Sequence, residues 1–411
     1  MYSVSESGVL TKIRAHDISV RTNYNEITQM PRRSLPETAP GEYRSFGDGT
    51  YYIPDELPPE IKIEMSDDLR DAIENAVLQL GRLGGVGEET DTSPLLYTTM
   101  VRREAVESVL IEGADVDIEE MFRPGQIEGD RTTEKDVQEA INYEAAVRFG
   151  AEEVNETGEI TIDLIHRLHR TLLEGARDEA KYIGEFRHSP VHIPPPSRAE
   201  ERFVPPAAHE VPRLVKNLDR YIESGGDYHN LVDNGIVHYQ FETIHPYGDG
   251  NGRLGRVLIT LQLVQDGYLN RPLLYPSAYF NEHKVEYVRR MRAVSEEGAW
   301  EPWLEFFIEG IGQQAKHAFD RTGELRDLRR EYEREYGHEK TATDRLAMRL
   351  FQQPYVDAAT VAEMLDVTDQ TARNALSELE ASGVLEETTG KQRYREYKAV
   401  DIFDILSRPV E

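Results

Sequence analysis

The chain has 411 residues, with 47 basic and 76 acidic side chains, a net charge of −29 and no cysteine. This length predicts two or three domains, and the lack of cysteine excludes disulfides, thiolate metal sites and cysteine nucleophiles. The net charge repels the phosphates of nucleic acids, so any nucleic-acid contact must be local.

The first 67 residues are rich in Pro, Gly, Ser and Tyr and show little helical period, which predicts an extended N-terminal arm over 1–67. From residue 68, apolar residues such as Leu69, Ile73 and Ala76 follow helical spacing. We predict an N-terminal helical region over 68–132 and a helical core over 133–325. Helices are expected at 69–80, 95–113, 133–153, 160–174, 210–224, 230–245, 253–266, 281–297 and 300–320.

Two further segments depart from this all-α body. Residues 184–208 are rich in proline and contain a short β-like piece, which predicts a hairpin or flap. A linker helix and a winged helix-turn-helix domain are predicted over 326–411, with three helices followed by a two-stranded wing. Thr368 fits the N-cap of the third helix and Gly383 fits its end.

The segment Ile244–Arg256, IHPYGDGNGRLGR, is a Gly-rich loop between two predicted helices. A loop that ends on a helix N-terminus points backbone N–H groups into one concavity, which favours phosphate. Arg253 and Arg256 lie three residues apart and can both reach phosphate oxygens. Asp249 offers a hard oxygen ligand for Mg²⁺, and His245 can accept a hydroxyl proton.

Other interpretations of these residues are weaker. The glycines also match G-x-G-x-x-G, but a dinucleotide-binding loop follows a strand and this loop follows a helix. A capped turn with a buried salt bridge would explain one Gly and one Arg, but not the whole set. His166 and His169 share a helix face without a third metal ligand, so we predict a packing or hydrogen-bonding pair.

The loop resembles the signature of the Fic family, H-x-F-x-[DE]-G-N-G-R-x-x-R. It departs only at position 247, where Tyr replaces Phe and an aromatic ring can still pack. The matching residues are His245, Tyr247, Asp249, Gly250, Asn251, Gly252, Arg253 and Arg256. The resemblance implies the Fic helical fold and transfer of AMP from ATP to a Ser, Thr or Tyr hydroxyl of a target protein.

The resemblance also implies a role for each position of the loop. His245 would be the general base, and Asp249 would bind Mg²⁺. The segment Gly250–Gly252 would cradle the phosphates of ATP. Arg253 would hold these phosphates and Arg256 would reach the γ-phosphate.

Two more regions resemble regions of the Fic family and occur in the same order along the chain. The flap would dock the target by main-chain pairing, with Val191 and Ile193 as candidate clamps, although a surface hairpin without a docking role is an alternative. The segment 275–287 falls where the family builds its adenine pocket, and core packing is the alternative for its side chains. The adenine candidates are Tyr279, Asn281 and Tyr287.

An upstream segment resembles the family's inhibitory motif, [ST]-x-x-x-E-[GN]. Here it reads Ser108-Val-Leu-Ile-Glu112-Gly113. A Glu112 carboxylate paired with Arg256 would occupy that arginine and prevent a productive γ-phosphate pose. An ordinary Glu at a helix end is the alternative.

The sequence and the resemblance together predict an autoinhibited protein adenylyltransferase that uses ATP and Mg²⁺. Its partner would be a protein with an exposed hydroxyl, which can be the enzyme itself. Whether the protein forms a homodimer is left open by the sequence. The acidic third helix of the tail favours protein docking over DNA, although the basic wing leaves a contact with DNA open. The basic residues of the wing are Lys391, Arg393, Arg395 and Lys398. The alternatives are a hydrolase that removes AMP through the same site and a nucleotide-sensing transcriptional regulator.

The amino-acid composition also gives expectations about the source organism and the cellular compartment of the protein. There are 37 Arg but only 10 Lys, and abundant Asp and Glu with scarce Lys resembles the proteins of salt-loving microbes. An ordinary acidic protein is the alternative. No run of 18 apolar residues and no apolar leader is present, so we expect a cytoplasmic protein without a membrane partner.

Overall fold

The structure is a computed structural model that describes residues 35–47, 49–60, 63–88, 94–123, 131–175, 182–195 and 202–408, with backbone at 2–4 and 10–12. Its helices are α1 (Asp67–Glu88), α2 (Pro94–Ile111), α3 (Arg131–Thr157), α4 (Ile162–Leu173), α5 (Val211–Ser224), α6 (Asn230–Ile244), α7 (Asn251–Gln265), α8 (Ser277–Glu282), α9 (Lys284–Glu297), α10 (Trp300–Tyr336), α11 (Ala342–Arg349), α12 (Ala358–Leu365), α13 (Asp369–Ala381) and α14 (Val400–Ser407). Its strands are β1 (Tyr2–Val4), β2 (Leu10–Lys12), β3 (Gly41–Phe46), β4 (Gly49–Pro54), β5 (Tyr355–Asp357), β6 (Leu385–Glu387) and β7 (Glu396–Ala399). The predicted helical class, with only small antiparallel sheets, is confirmed.

Helices α6 and α7 form the centre of the body. Every residue of α7 from Leu254 to Val264 is buried, and α6 is buried along most of its length. A helix that is apolar on all sides is stable only inside a larger core, and α3, α4, α6 and α10 supply that core. The loop between α6 and α7 therefore sits on a rigid, deeply packed support.

Helix α10 is a single helix of 37 residues. The sequence predicts two helices here, one over 300–320 and a charged one after it. The structure joins them because Ala318, Thr322 and Leu325 remain buried across the junction and no proline lies at the junction to interrupt the backbone. Its first half packs on α1 and α6, and its second half reaches the tail, so it crosses the predicted boundary at residue 325.

The region predicted as an extended arm contains a β-hairpin. Strands β3 and β4 pair antiparallel, with Tyr43 opposite Tyr52. The Tyr52 N–H donates to the carbonyl of Val204 at 2.9 Å, and the Gln240 side chain donates to the carbonyl of Asp55 at 2.9 Å. The sequence does not predict this hairpin, because prolines and glycines flank two short strands. At the start of the chain, β1 also pairs antiparallel with β2.

The tail has the winged-helix order that the sequence predicts, with two additions. Thr368 caps α13 by accepting from the Thr371 N–H, and Gly383 follows it with a left-handed φ of 81°. The sheet has three strands in the order β5-β7-β6, because β5 adds to the predicted pair. Helix α14, which sequence analysis missed, packs back on α10.

The tail also contacts helix α2. The Arg103 guanidinium of α2 donates to the carbonyl of Leu406 at 3.1 Å. Just beyond α2, Glu119 accepts from the Lys398 ammonium at 3.1 Å, and the rings of Phe122 and Phe403 pack edge to face. Helix α2 is thus held between the body and the winged helix. Among the described residues, no helix combines the length and the apolar character needed to cross a bilayer.

Candidate active site

The loop between α6 and α7 is a tight turn with two left-handed residues at its ends. His245 ends α6 with a φ of 50°, and Gly250 precedes α7 with a φ of 75°. The Asn251 amide bridges the turn, accepting from the Tyr247 N–H and donating to the Tyr247 carbonyl, both at 2.9 Å. Asn251, predicted to cradle phosphate, therefore shapes the loop with its side chain and can offer its backbone N–H to a ligand.

The His245 ring is held in one orientation. Its Nδ1 lies 3.2 Å from the Glu242 carbonyl, which can only accept, so Nδ1 carries the proton. Burial lowers the pKa of His245 to about 4, so the ring is neutral near pH 7. This tautomer leaves Nε2 as a free acceptor, which is the form that a general base requires.

Tyr247 fulfils the predicted packing role of the aromatic position. It is fully buried, and its ring stacks on the His169 ring at 3.9 Å between centroids. Its hydroxyl lies 2.9 Å from Nδ1 of His166. The two histidines, predicted to interact with each other, instead each contact Tyr247.

Arg253 projects into the interior beneath the loop. Its Nη1 donates to Glu139 of α3 at 2.9 Å, and both side chains are only 3% exposed. Its Nη2 lies 3.6 Å from the Asp249 carboxylate. The sequence does not predict the role of Glu139, because this residue lies more than a hundred residues away and shares its face of α3 with the buried polar residues Asp136 and Asn142. A buried arginine fixed in this way supplies positive charge below the loop.

Asp249 is the predicted Mg²⁺ ligand. Its carboxylate is 39% exposed at the mouth of the loop and accepts from the Gly250 N–H at 2.7 Å. Within the described ranges, no group of three or more His, Asp or Glu side chains forms a metal cluster. This arrangement fits Mg²⁺, which commonly binds one or two protein carboxylates and takes its other ligands from nucleotide phosphates and water.

Arg256 is the centre of a buried polar cluster that joins α7 to α2. Its Nε donates to Ser108 Oγ at 2.8 Å and its Nη2 donates to the Ser108 carbonyl at 3.0 Å. The same Nη2 donates to Glu112 Oε1 at 2.8 Å. Glu112 follows the last residue of α2, and Gly113 continues the turn with a φ of 94°.

The Glu112 carboxylate lies directly over the first turn of α7. A Cβ atom placed on Gly252 would be 2.4 Å from Glu112 Oε1, so only glycine allows this approach. Burial raises the pKa of Glu112, but the charge and hydrogen bond of Arg256, together with the charges of Arg253 and Lys284, outweigh burial and leave the pKa below its ordinary value. At neutral pH, an ionised carboxylate therefore covers the end of α7 where an anion would bind.

The adenine candidates lie on α8 and α9. The Asn281 amide donates to Glu107 of α2 at 3.0 Å, and Tyr279 is buried against the rings of His283 and Phe306. Tyr287 is 3% exposed, and its hydroxyl lies 2.6 Å from His238 Nε2. The structure thus places Tyr287 in the core, which is the packing alternative, and places only Asn281 at a partly exposed position.

The flap is attached to the catalytic loop at its base. Buried Arg187 donates from Nε to the His245 carbonyl at 2.8 Å and from its backbone N–H to the Pro246 carbonyl at 2.9 Å. Val191 and Ile193 are half-buried, and the backbone of Ile193 pairs with Phe203. The predicted hairpin is therefore a single antiparallel bridge within the described residues.

Glu242, one turn before His245, is an acidic residue that sequence analysis missed. Its side chain is 12% exposed, and its buried Oε1 has no hydrogen-bond partner among the described residues. Burial raises the pKa of Glu242 to about 8 and that of Glu104 to about 7. Near neutral pH, the Glu242 carboxyl is therefore mostly protonated and the Glu104 carboxyl is close to the midpoint of its titration.

This protonation predicts a specific pH dependence of stability. In the unfolded chain, Glu242 and Glu104 regain ordinary pKa values near 4.5, so folding binds protons and stability falls as pH rises toward 8. Buried histidines such as His245 have the opposite effect, but only below their ordinary pKa of 6.5. We expect the free energy of unfolding, and with it the melting temperature, to fall between pH 6.5 and 8, by up to about 1.4 kcal/mol per pH unit for each carboxyl.

Calorimetry on Glu242→Gln tests this expectation. The variant cannot titrate at this position, so its melting temperature should fall less steeply between pH 6.5 and 8. Glu74→Gln, at an exposed position of α1, is the matched control and should keep the wild-type slope. Equal slopes for Glu242→Gln and wild type would contradict the assignment.

Comparison with known proteins identifies three regions of the chain. Residues 159–263 match the Fic/DOC family model, residues 70–152 match the Fic/DOC family N-terminal model, and residues 343–396 match a DeoR-like helix-turn-helix domain. The chain therefore contains a Fic domain with its N-terminal companion, as the family resemblance predicts, and a helix-turn-helix domain, as the pattern of the tail predicts.

Two curated relatives have related sequences. A probable protein adenylyltransferase of Aquifex aeolicus is 36% identical over 98 residues, which are 24% of this chain and 28% of that protein. The protein adenylyltransferase Fic of Aedes aegypti is 28% identical over 174 residues, which are 42% of this chain and 32% of that protein. The chain thus matches less than a third of the length of either relative.

Solved structures show the fold. The crystal structure of a Fic family protein from Desulfovibrio desulfuricans aligns with a TM-score of 0.55 and 22% identity, over 84% of this chain and 98% of that chain. A Fic domain containing signaling protein from Bacteroides thetaiotaomicron aligns with a TM-score of 0.50 and 16% identity, over 60% of this chain and 95% of that chain.

Proposed function

We propose that this protein transfers AMP from ATP to a hydroxyl side chain of a protein, and that Glu112 inhibits the transfer by holding Arg256. The Glu112–Arg256 ion pair over Gly252 carries the proposal. The pair supports an anion site at the N-terminus of α7, because a carboxylate lies over the first turn of that helix. The adenylyltransferase relatives support nucleotide as the source of that phosphate.

The site residues have distinct tasks in this reaction. The N–H groups at the start of α7 and the Arg253 guanidinium stabilise negative charge on the phosphates. Once Glu112 withdraws, Arg256 can pair with the γ-phosphate through the same Nη2. Mg²⁺ held by Asp249 would neutralise further phosphate charge when bound.

His245 completes the reaction by taking a proton. The target oxygen attacks the α-phosphorus of ATP, the bond from this phosphorus to the bridging oxygen breaks, and pyrophosphate leaves. The proton of the hydroxyl passes to Nε2 of His245, which the hydrogen bond at Nδ1 keeps unprotonated. Such a step depends on positioning and on charge neutralisation.

The position of the ATP label separates this function from its alternatives. We expect incubation of the Glu112→Gly variant with Mg²⁺ and a cell lysate to label protein bands from α-labelled ATP and not from γ-labelled ATP. Label from γ-labelled ATP would show phosphoryl transfer and contradict the proposal. Binding of ATP without labelled protein would favour a nucleotide-sensing regulator.

One observation favours a second function for the same site. The Glu112 side chain is 44% exposed despite its ion pair, so one face of the carboxylate can reach water. A carboxylate in this position could orient water toward the phosphorus of an AMP-modified side chain, which is hydrolysis. Loss of AMP from a pre-modified protein on incubation with the wild type, and not with Glu112→Gly, would establish it.

The flap should determine how a protein target docks. Because the backbone of Ile193 pairs with Phe203, its apolar side chain and this bridge set the shape of the flap edge. We expect Ile193→Gly to lower transfer to a protein target on the order of tenfold while leaving ATP affinity unchanged. His192→Ala, which keeps both the bridge and the apolar side chain, is the control, and equal transfer rates for wild type and Ile193→Gly would remove the docking role.

A further inference from the structure

The His169 ring links the base of the flap to the catalytic loop. The Gly184 N–H of the flap donates to His169 Nδ1 at 2.8 Å, and His169 Nε2 lies 3.0 Å from the Asp249 carbonyl of the loop. The ring is 1% exposed and stacks on Tyr247. One buried side chain thus contacts both the flap, where a target would dock, and the catalytic loop, where a nucleotide would bind.

These two contacts require one form of the ring. A backbone N–H can only donate, so His169 Nδ1 must accept and carries no proton. A carbonyl can only accept, so Nε2 must carry the proton and donate to Asp249. His169 is therefore neutral, and its two hydrogen bonds have opposite directions.

The backbone at Gly184 is fixed by more than this bond. Gly184 has a φ of 76°, and a Cβ atom there would lie 2.4 Å from Nε of Arg170. Three residues later, Arg187 bonds to the carbonyls of His245 and Pro206. The segment between Gly184 and Arg187 is thereby tied to the catalytic loop at both ends.

We propose that His169 is a positioning residue that holds the target-docking flap and the catalytic loop in one register. This inference rests on the proposed function. In the absence of either hydrogen bond, flap and loop can shift relative to each other while the nucleotide site on α7 persists. Displacement of a reacting group by about 1 Å can cost on the order of 100-fold in rate.

Two substitutions separate the two bonds. In His169→Asn, the side-chain oxygen can take the position of Nδ1 and accept from Gly184, but the contact with Asp249 is lost. In His169→Gln, the side-chain nitrogen can take the position of Nε2 and donate to Asp249, but the contact with Gly184 is lost. His169→Ala removes both bonds.

The test is made on the full chain in a Glu112→Gly background. The measurements are the rate of label incorporation from α-labelled ATP into the protein itself, the affinity for ATP, and the hydrogen-exchange rate of the Gly184 amide. We expect the Asn and Gln variants to lose on the order of tenfold in labelling rate and the Ala variant on the order of 100-fold, with ATP affinity within about threefold of the parent. The Gly184 amide should exchange faster in the Gln and Ala variants and at the parental rate in the Asn variant.

Labelling rates equal to the parent in both the Asn and Gln variants would overturn the inference. A parallel loss of ATP affinity in all three variants would also overturn it, since His169 would then only stabilise the fold of the loop. Absence of label in the Glu112→Gly parent would contradict the proposed function instead. In that case the hydrogen exchange of the Gly184 amide decides. Faster exchange in His169→Gln than in His169→Asn supports the link between flap and loop, and equal exchange in the two variants overturns it.

Discussion

Replacing Glu112 with Gly is expected to raise AMP transfer by 10- to 1000-fold, including transfer onto the protein's own hydroxyls. The variant frees Arg256, which keeps its bonds to Ser108 and stays in place, so its Nη2 can bind the γ-phosphate. A charged pair of this kind biases the competent population by roughly 10- to 1000-fold. The measurement is the initial rate of label incorporation from α-labelled ATP.

Glu112→Gln is the matched control, because it keeps the length of the side chain and loses only its charge. We expect it to activate less than Gly, since a neutral amide can still accept a hydrogen bond from Arg256. Unchanged transfer in Glu112→Gly, combined with loss of AMP release from modified protein, would assign Glu112 to hydrolysis. Equal activation by Glu112→Gly and Glu112→Gln would instead show that the negative charge of Glu112 alone causes the inhibition.

Replacing His245 with Ala is expected to abolish this activity, with a loss on the order of 100- to 10,000-fold. ATP affinity should stay nearly unchanged, because His245 lies at the end of α6 and the anion site is built from α7 and its arginines. Label incorporation and ATP binding are measured separately in the Glu112→Gly background.

The control for this change is His209→Ala, since the His209 side chain is 60% exposed and lies outside the loop. It should label at the rate of the Glu112→Gly parent. Equal labelling by the His245→Ala variant would contradict the base assignment. Loss of ATP binding in parallel with labelling would show that His245 supports the loop rather than the proton transfer.

The helices could be predicted because their signal is local. Apolar residues at helical spacing place α3, α5, α6 and α7 within a few residues of their observed bounds. The loop 244–256 could be assigned because its glycines, His245 and Asp249 lie close together in the sequence. The hairpin at 41–54 was missed because two short strands among prolines give a weak alternation signal.

The pairs that define the site could not be derived from spacing. Glu139 and Arg253 are 114 residues apart, and no local pattern links an acid on α3 to an arginine on α7. Pairing of Glu112 with Arg256 was expected only from the family resemblance. Long-range pairs depend on how helices pack, which periodicity alone does not determine.

The intact mass of Glu112→Gly after incubation with ATP and Mg²⁺ tests the central claim most directly. We predict a mass increase of one or more AMP groups, much smaller in the wild type and absent when His245→Ala is added. A mass increase equal to phosphate, or equal AMP modification of wild type and Glu112→Gly, would contradict an adenylyltransferase that Glu112 holds inactive.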